Sequence, residues 1–284
     1  MKIIVTGAKG QLGKSLNDAF AQTNEKYDIV YIDIEDVDLT DFEAVKGFFC
    51  SHPCDIVINC AAYTAVDKAE RDSDLARAIN YKAVENLARV AKMNNFKIIH
   101  ISTDYVFDGK GNIPYKETDA PNPMTVYGTT KFEGEKILEQ IDKTAIIIRT
   151  SWLYSHYGKN FFLTMKAKAM EGKKVNVVND QKGTPTFAGD LANAIVCIIE
   201  NGNWNPGIYH YSNEGECTWY DFTKEIYSNL KADTELVSPI TSADFKCDAR
   251  RPEYSVLSKE KIKNTYKLQI PLWQESLRET IKNI

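Results

Sequence analysis

The chain has 284 residues, 43% of them hydrophobic, with 35 Lys and Arg against 39 Asp and Glu for a net charge of -4. This length can bury a sizeable core as one large domain or two smaller ones. The mild acidity argues against the basic stripe of a nucleic-acid binder and against any pull toward anionic membranes.

The first apolar run, Lys2–Thr6, leads straight into glycines, too early for a secretion leader. No run approaches the length of a membrane span, so a cytoplasmic protein is expected. The six cysteines (Cys50, Cys54, Cys60, Cys197, Cys217 and Cys247) form no CxxC and read as free thiols. Cys60 and Cys197 sit in apolar runs and are expected in the core. The four histidines are scattered without an HxxxH pair, so no metal site is expected.

Strands and helices alternate through the first half. Lys2–Thr6 reads as a strand and Leu12–Ala21 as a helix; Asp28–Ile32 and Phe42–Ser51 repeat the pair. Asp55–Cys60 is a third strand. Ser73–Asn94 reads as one long amphipathic helix with Leu75, Ile79, Val84, Leu87, Val90 and Ala91 near one face. Lys97–Ser102 is a fourth strand, Tyr127–Gln140 a helix and Thr144–Arg149 a fifth strand. This rhythm predicts an α/β fold of Rossmann type, a doubly wound parallel sheet covered on both faces.

After residue 150 the rhythm loosens. Helices are predicted near Phe161–Met170, Asp190–Glu200, Tyr220–Leu230 and Leu272–Ile281, with short strands at Val175–Val178 and Ile208–Tyr211. The expected organisation is a dinucleotide-binding domain over 1–150, to which 187–211 returns. A smaller C-terminal substrate-binding region would comprise 151–186 and 212–284.

Gly7-Ala-Lys-Gly10-Gln-Leu-Gly13 follows the first strand and opens the first helix. Glycine permits the tight turn and lets the backbone approach a pyrophosphate, while the helix start offers free N–H groups. Asp33 ends the second strand, twenty residues beyond Gly13, where a carboxylate would accept from the adenosine ribose. Glu35 and Asp36 add negative charge that would repel a 2′-phosphate, so NADH is favoured over NADPH. Asp38-Leu39 and Ala62-Tyr63-Thr64 follow strand ends on the same edge and are candidates for the cofactor's surroundings.

Tyr127-Gly-Thr-Thr-Lys131 sets Tyr and Lys four apart on one helix face. A free Tyr titrates near ~10, and a neighbouring ammonium is expected to bring it down. The strand before that helix ends in Ser102-Thr103-Asp104, where such folds place ligands. Thr103 can bond and orient a substrate oxygen, and Asp104 can meet a substrate hydroxyl.

These segments, with Asn59-Cys-Ala-Ala-Tyr-Thr-Ala-Val-Asp67 and Ser102-Thr-Asp-Tyr-Val-Phe-Asp-Gly109, resemble the extended short-chain dehydrogenase/reductase superfamily. Val66-Asp-Lys-Ala-Glu70, Arg149-Thr-Ser-Trp-Leu-Tyr154, Asn160-Phe161, Asn179-Asp-Gln-Lys-Gly-Thr-Pro-Thr186 and Ala249-Arg-Arg-Pro252 extend the likeness over nearly the whole chain. Within the superfamily they resemble the dTDP-4-dehydrorhamnose reductases. The resemblance implies NAD(P)H-dependent reduction of the 4-keto group of a dTDP-linked 4-keto-6-deoxy sugar, dTDP-4-dehydro-6-deoxy-L-mannose, to dTDP-L-rhamnose. Tyr127 would donate the proton, with Lys131 reaching the nicotinamide ribose and Thr103 polarising the carbonyl.

Gly10, Gln11 and Leu12 would meet the pyrophosphate, beside Gly7 and Gly13. Asp33, Asp38, Leu39, Ala62, Tyr63 and Thr64 would line the rest of the cofactor site. Thr103 and Asp104 would contact the sugar, with Trp152 packed beside its ring. Asn160 and Thr186 would lie on pocket loops, and Arg250 and Arg251 would offer charge to the diphosphate. A homodimer is compatible with this reading. Ser15 stands where some relatives carry an acid for a metal-linked pair, so no metal bridge is expected. Two rivals remain open on the sequence: another nucleotide-sugar 4-ketoreductase or epimerase, and a non-catalytic protein like the regulatory subunit of methionine adenosyltransferase.

Overall fold

Alternation along the strands decides how the layers stack. The computed structural model describes residues 1–23 and 26–282. In chain order the first half comprises β1 (Lys2–Thr6), α1 (Gln11–Ala21), β2 (Asp28–Ile32), α2 (Phe42–Ser51), β3 (Ile56–Asn59), α3 (Val66–Ala69), α4 (Ser73–Arg77) and α5 (Ala83–Asn94). It continues with β4 (Lys97–Thr103), α6 (Val126–Ile141) and β5 (Ile146–Thr150). Ile3, Val5, Ile58, Ile99, Ile146 and Ile148 point to one face of the sheet, and Ile4, Val57, Ile98 and Ile147 to the other. Both rows are fully buried, each such side chain contributing roughly 1.5–3 kcal/mol by leaving water.

The second half comprises β6 (Leu153–Tyr154), α7 (Phe161–Met170), β7 (Val175–Val178), β8 (Lys182–Gly183), β9 (Thr186–Phe187) and α8 (Ala188–Glu200). It ends with β10 (Gly207–His210), β11 (Cys217–Thr218), α9 (Trp219–Asn229), β12 (Val237–Ile240), α10 (Glu260–Tyr266) and α11 (Trp273–Lys282). Six parallel strands form the main sheet in the order β10-β5-β4-β3-β1-β2. This is the doubly wound α/β arrangement expected from the alternation. Helices α1, α8 and α10 cover one face; α2, α5 and α6 cover the other. The chain turns to opposite sides of β1 to make β2 and β3, so the crevice beyond those strand ends is a topological switch point, the usual place for a ligand. A further core joins Tyr154, Phe162, Val175, Phe222, Ile226, Trp273 and Leu277. Among the described residues no helix is long and apolar enough to cross a membrane.

Three expectations are corrected. The single helix over Ser73–Asn94 is interrupted by a π turn at Ala78–Lys82. A π turn holds an extra residue and rotates the helix face, so Leu75 is exposed while Ala76 and Asn80 are buried. Cys197 is exposed rather than core, because Asn193, Cys197 and Glu200 form the outward stripe of α8. Cys60 is partly exposed and lines the cavities described below.

Candidate active site

The glycine loop is shaped by backbone contact. Gly7 has φ +65°, and a Cβ there would lie 2.7 Å from Ala61 N. A Cβ at Gly13 would lie 2.6 Å from the Gly7 carbonyl oxygen. No side chain can therefore stand between the loop, α1 and β3. Gly10 caps α1 without a side-chain bond, leaving the first amides of an 11-residue helix without a side-chain partner. Asp33 braces this loop: its Oδ2 accepts from Lys9 N at 2.9 Å. Lys9 Nζ pairs with Glu35 at 2.6 Å on the exposed lip.

Two cavities meet at this loop. One, about 460 Å³, is lined by Gly7, Gly10, Asp33, Asp38, Leu39 and Ala62 among others. The other, about 570 Å³, is lined by Gly10, Gln11, Leu12, Gly13, Ala62 and Thr64 on one side. Its other walls carry Thr103, Asp104, Tyr127, Lys131, Trp152, Asn160 and Arg251. Tyr63, Thr186 and Arg250 line neither cavity. The Tyr63 hydroxyl donates to Asp72. Thr186 is buried in β9, its backbone N–H donating to Trp152 O. Arg250 is exposed beside Glu253.

Thr125 caps α6, its Oγ1 accepting from Gly128 N at 3.0 Å, and so places Tyr127 in the first turn. A Cβ at Gly128 would lie 2.2 Å from Tyr105 O, so only glycine lets α6 start this close to the end of β4. Thr103 Oγ1 donates to Asp104 Oδ1 at 3.0 Å. Thr103 Oγ1 also accepts from Tyr105 N at 3.2 Å, and Thr103 and Tyr127 line the same cavity wall.

Burial pushes the Tyr127 phenol up to about 12. The expected lowering by Lys131 is thus corrected: Lys131 Nζ turns toward Ile101 O at 2.6 Å and His100. Burial brings Lys131 itself down to about 8. Burial also raises Asp104 to about 6, against the bond from Thr103, and its Oδ2 has no partner among the described residues.

At the far end Trp152 stacks on Trp219, ring centroids 3.6 Å apart and 7° from parallel. Trp152 holds φ +48°, a left-handed conformation that costs roughly 1–2 kcal/mol outside glycine. Gly183 permits it, since a Cβ there would lie 2.5 Å from the indole. Arg251 pairs with Asp67 at 2.7 Å. Asn160 caps α7 through Leu163 N and donates to Gln11 Oε1 at 2.8 Å, tying the start of α7 to the start of α1. Trp219 and Asp67 were not among the expected site residues. The only local signal for Trp219 was the Thr218-x-x-Asp221 capping box that starts its helix.

A nucleotide-sized cleft floored by bare helix amides, opening onto a half-buried Tyr and a buried Lys, is what a dinucleotide-dependent oxidoreductase requires. The chain is a Rossmann-type oxidoreductase that works with a nicotinamide cofactor. A family model described as the RmlD substrate binding domain matches residues 1–284. The dTDP-4-dehydrorhamnose reductase of Aggregatibacter actinomycetemcomitans is 38% identical over 286 residues, covering 98% of this chain and 97% of that protein. A protein of Streptomyces antibioticus named "Probable dTDP-4,6-dihydroxy-2-methyloxan-3-one 4-ketoreductase" is 38% identical, covering 100% of this chain and 96% of its own length. The crystal structure of dTDP-4-dehydrorhamnose reductase from Bacillus anthracis, in complex with NADP, superposes with a TM-score of 0.95 at 37% identity, covering 100% of this chain and 99% of that one. The chain belongs to the RmlD family of dTDP-4-dehydrorhamnose reductases.

Proposed function

We infer that the chain reduces the 4-keto group of dTDP-4-dehydro-6-deoxy-L-mannose, yielding dTDP-L-rhamnose. The observation that carries this reading is the gathering of Thr103, Tyr127 and Lys131 in one wall of a cavity that runs on to Trp152 and Arg251. Bound across the glycine loop, the reduced nicotinamide supplies the hydride. Tyr127 holds the proton for the sugar oxygen. Its raised value keeps the phenol protonated at neutral pH, which suits an acid in the reductive direction. Thr103 orients that oxygen, Lys131 meets the cofactor ribose, Trp152 packs beside the sugar ring and Arg251 faces the diphosphate. Remote contacts of this kind hold the sugar for reaction, so a free 4-keto sugar is expected to react very poorly.

The test is an assay of purified protein with the dTDP-linked 4-keto sugar, following oxidation of the reduced dinucleotide and the configuration of the product. Stoichiometric oxidation with dTDP-L-rhamnose as product supports the reading. Product without net oxidation would mark an epimerase, and equal rates on free ketoses would remove the nucleotide-sugar requirement. A second reading, a 4-ketoreductase for a different dTDP-linked sugar, is favoured by the equally similar Streptomyces antibioticus relative; product configuration separates the two.

We also propose that NADH serves at least as well as NADPH. Asp33 lies in the cofactor cleft, with Glu35 and Asp36 beside it. Asp33→Ala should shift the ratio of kcat/KM values toward NADPH. A wild type that strongly prefers NADPH overturns the assignment.

A further inference from the structure

Behind the catalytic wall the sheet carries a row of polar side chains not used in the steps above. Parallel register sets Thr6, Asn59 and His100 side by side on β1, β3 and β4. All three are buried, as is Lys131. Thr6 Oγ1 donates to Asn59 Oδ1 at 2.6 Å, and Asn59 Nδ2 lies 3.0 Å from His100 Nδ1. Lys131 Nζ lies 3.4 Å from His100 Nε2.

We propose that His100, backed by Asn59 and Thr6, is a positioning residue for Lys131, setting where Nζ points and which charge it carries as the cofactor binds. This rests on the reading of Lys131 as the partner of the cofactor.

A neutral imidazole has one N–H. Burial, with Lys131 beside it, holds His100 well below the ordinary histidine value, so it stays neutral. With Asn59 Oδ1 taken by the Thr6 hydroxyl, the amide nitrogen faces Nδ1, which must accept. The imidazole hydrogen then sits on Nε2 and points at Nζ, a contact that only the free amine satisfies. Half a turn of the Asn59 amide reverses the chain: Nδ1 donates, Nε2 accepts and an ammonium is satisfied. The row therefore has two settings, one for each charge of Lys131, and a mixture of the two leaves a buried polar atom unpaired.

Besides His100, the titratable groups acting on Nζ are Cys60, just past the end of β3, and Glu135 on α6; Tyr127 stands one turn before Lys131 on the same helix. Burial pushes the Cys60 thiol up to about 12, which keeps it uncharged. Glu135 is gripped by Arg149 of β5 at 2.7 Å and 2.9 Å, with His210 of β10 behind the guanidinium at 3.5 Å. The carboxylate one turn along α6 is thus occupied, and His100 is the side chain left to meet Nζ.

The test titrates NADPH binding against pH by nicotinamide fluorescence in wild type, His100→Phe, His100→Gln and Lys131→Met. Wild-type affinity should fall as pH rises through a midpoint that Lys131→Met abolishes. His100→Phe removes an acceptor and makes the wall more apolar, so the midpoint should move to lower pH by about one unit. Turnover should fall about tenfold, with the sugar KM unchanged. His100→Gln can turn its amide to donate or accept and should restore both. A merely structural His100 would lower the thermal midpoint of the Phe variant and leave its pH midpoint in place; that result overturns the proposal. If Lys131→Met keeps the wild-type pH dependence, the proposal falls together with the role of Lys131. Should the Phe variant fail to fold, the His100 nitrogen resonances of wild type decide. A move of the proton from Nε2 to Nδ1 as pH falls through the midpoint supports the proposal, and one tautomer throughout overturns it.

Discussion

The two ends of the proposed site, one for the cofactor and one for the sugar, are made of different material. The cofactor end is backbone: Gly7 and Gly13 bring α1 against β1 and β3 at distances no side chain allows, and Asp33 holds the loop by accepting from Lys9 N. The substrate end is side chain. Trp152, Trp219, Asp67 and Arg251 come from four separate segments and meet only through stacking and an ion pair. A backbone cradle has a single shape and suits a ligand that is always the same. A wall of side chains can be altered one residue at a time, which is where selectivity for one sugar can be set. Between them stand Tyr127 and Lys131, on a helix whose position depends on both ends.

The largest effect is expected at that junction. Tyr127→Phe keeps the ring and its packing against Tyr105 and removes only the transferable proton. Turnover should fall by ~10²–10⁴, with cofactor affinity unchanged in a fluorescence titration. Near-normal turnover would detach the chemistry from this residue and leave both ends as binding surfaces only.

Next comes the helix start. In Gly128→Ala the new Cβ would meet Tyr105 O at 2.2 Å, so α6 must shift, carrying Tyr127 with it. A displacement near 1 Å can cost about a hundredfold. The loss should fall on kcat more than on either KM. A variant with wild-type kcat would show that α6 can move without disturbing the chemistry.

How legible each end was in the sequence follows the same division. Gly7, Gly10, Gly13 and Asp33 could be read because a backbone cradle needs residues at short, fixed spacing. Tyr127 and Lys131 could be read because helical spacing alone puts them on one face. The π turn at Ala78–Lys82 could not: it depends on α6, where a Cβ at Gly134 would lie 2.2 Å from Asn80 O. Asp67 and Arg251 are 184 positions apart, and nothing local announces their pairing. The same blindness put Thr186 and Arg250 on the expected pocket, although one is buried in β9 and the other points to solvent. Register is intermediate. Thr6, Asn59 and His100 lie on three different strands, and only the order of the sheet makes them a row.

At the substrate end, Trp219→Leu removes the partner of Trp152. A stacked aromatic pair is worth about 0.5–1.5 kcal/mol beyond its buried area, so the sugar KM should rise up to about tenfold. The cofactor dissociation constant should not move, and far-ultraviolet circular dichroism should lose the exciton signal of the coupled indoles. Weakened cofactor binding instead would mean that the two ends are not separable.

The last effect is read as stability rather than as a rate or an affinity, at Asp104. Burial raises its carboxyl from 3.8 to about 6. An unfolded chain releases that proton near its ordinary value, so between the two the folded state holds the extra proton. Stability therefore falls as pH rises from about 4 to about 6, by an amount approaching about 3 kcal/mol, and stays lower above that window. Asp104→Asn removes the buried charge while its side-chain oxygen can still accept from Thr103 Oγ1. Its thermal midpoint should exceed wild type by several degrees near neutral pH, and the two should converge at about pH 4, where both side chains are neutral. Turnover should fall, since the carboxylate faces the sugar in the proposed complex. This pairing of gain and loss would place the cost of selectivity in the side-chain end of the site. A variant equally shifted at both pH values would mean that Asp104 acts through packing, and that its ionisation is irrelevant to stability.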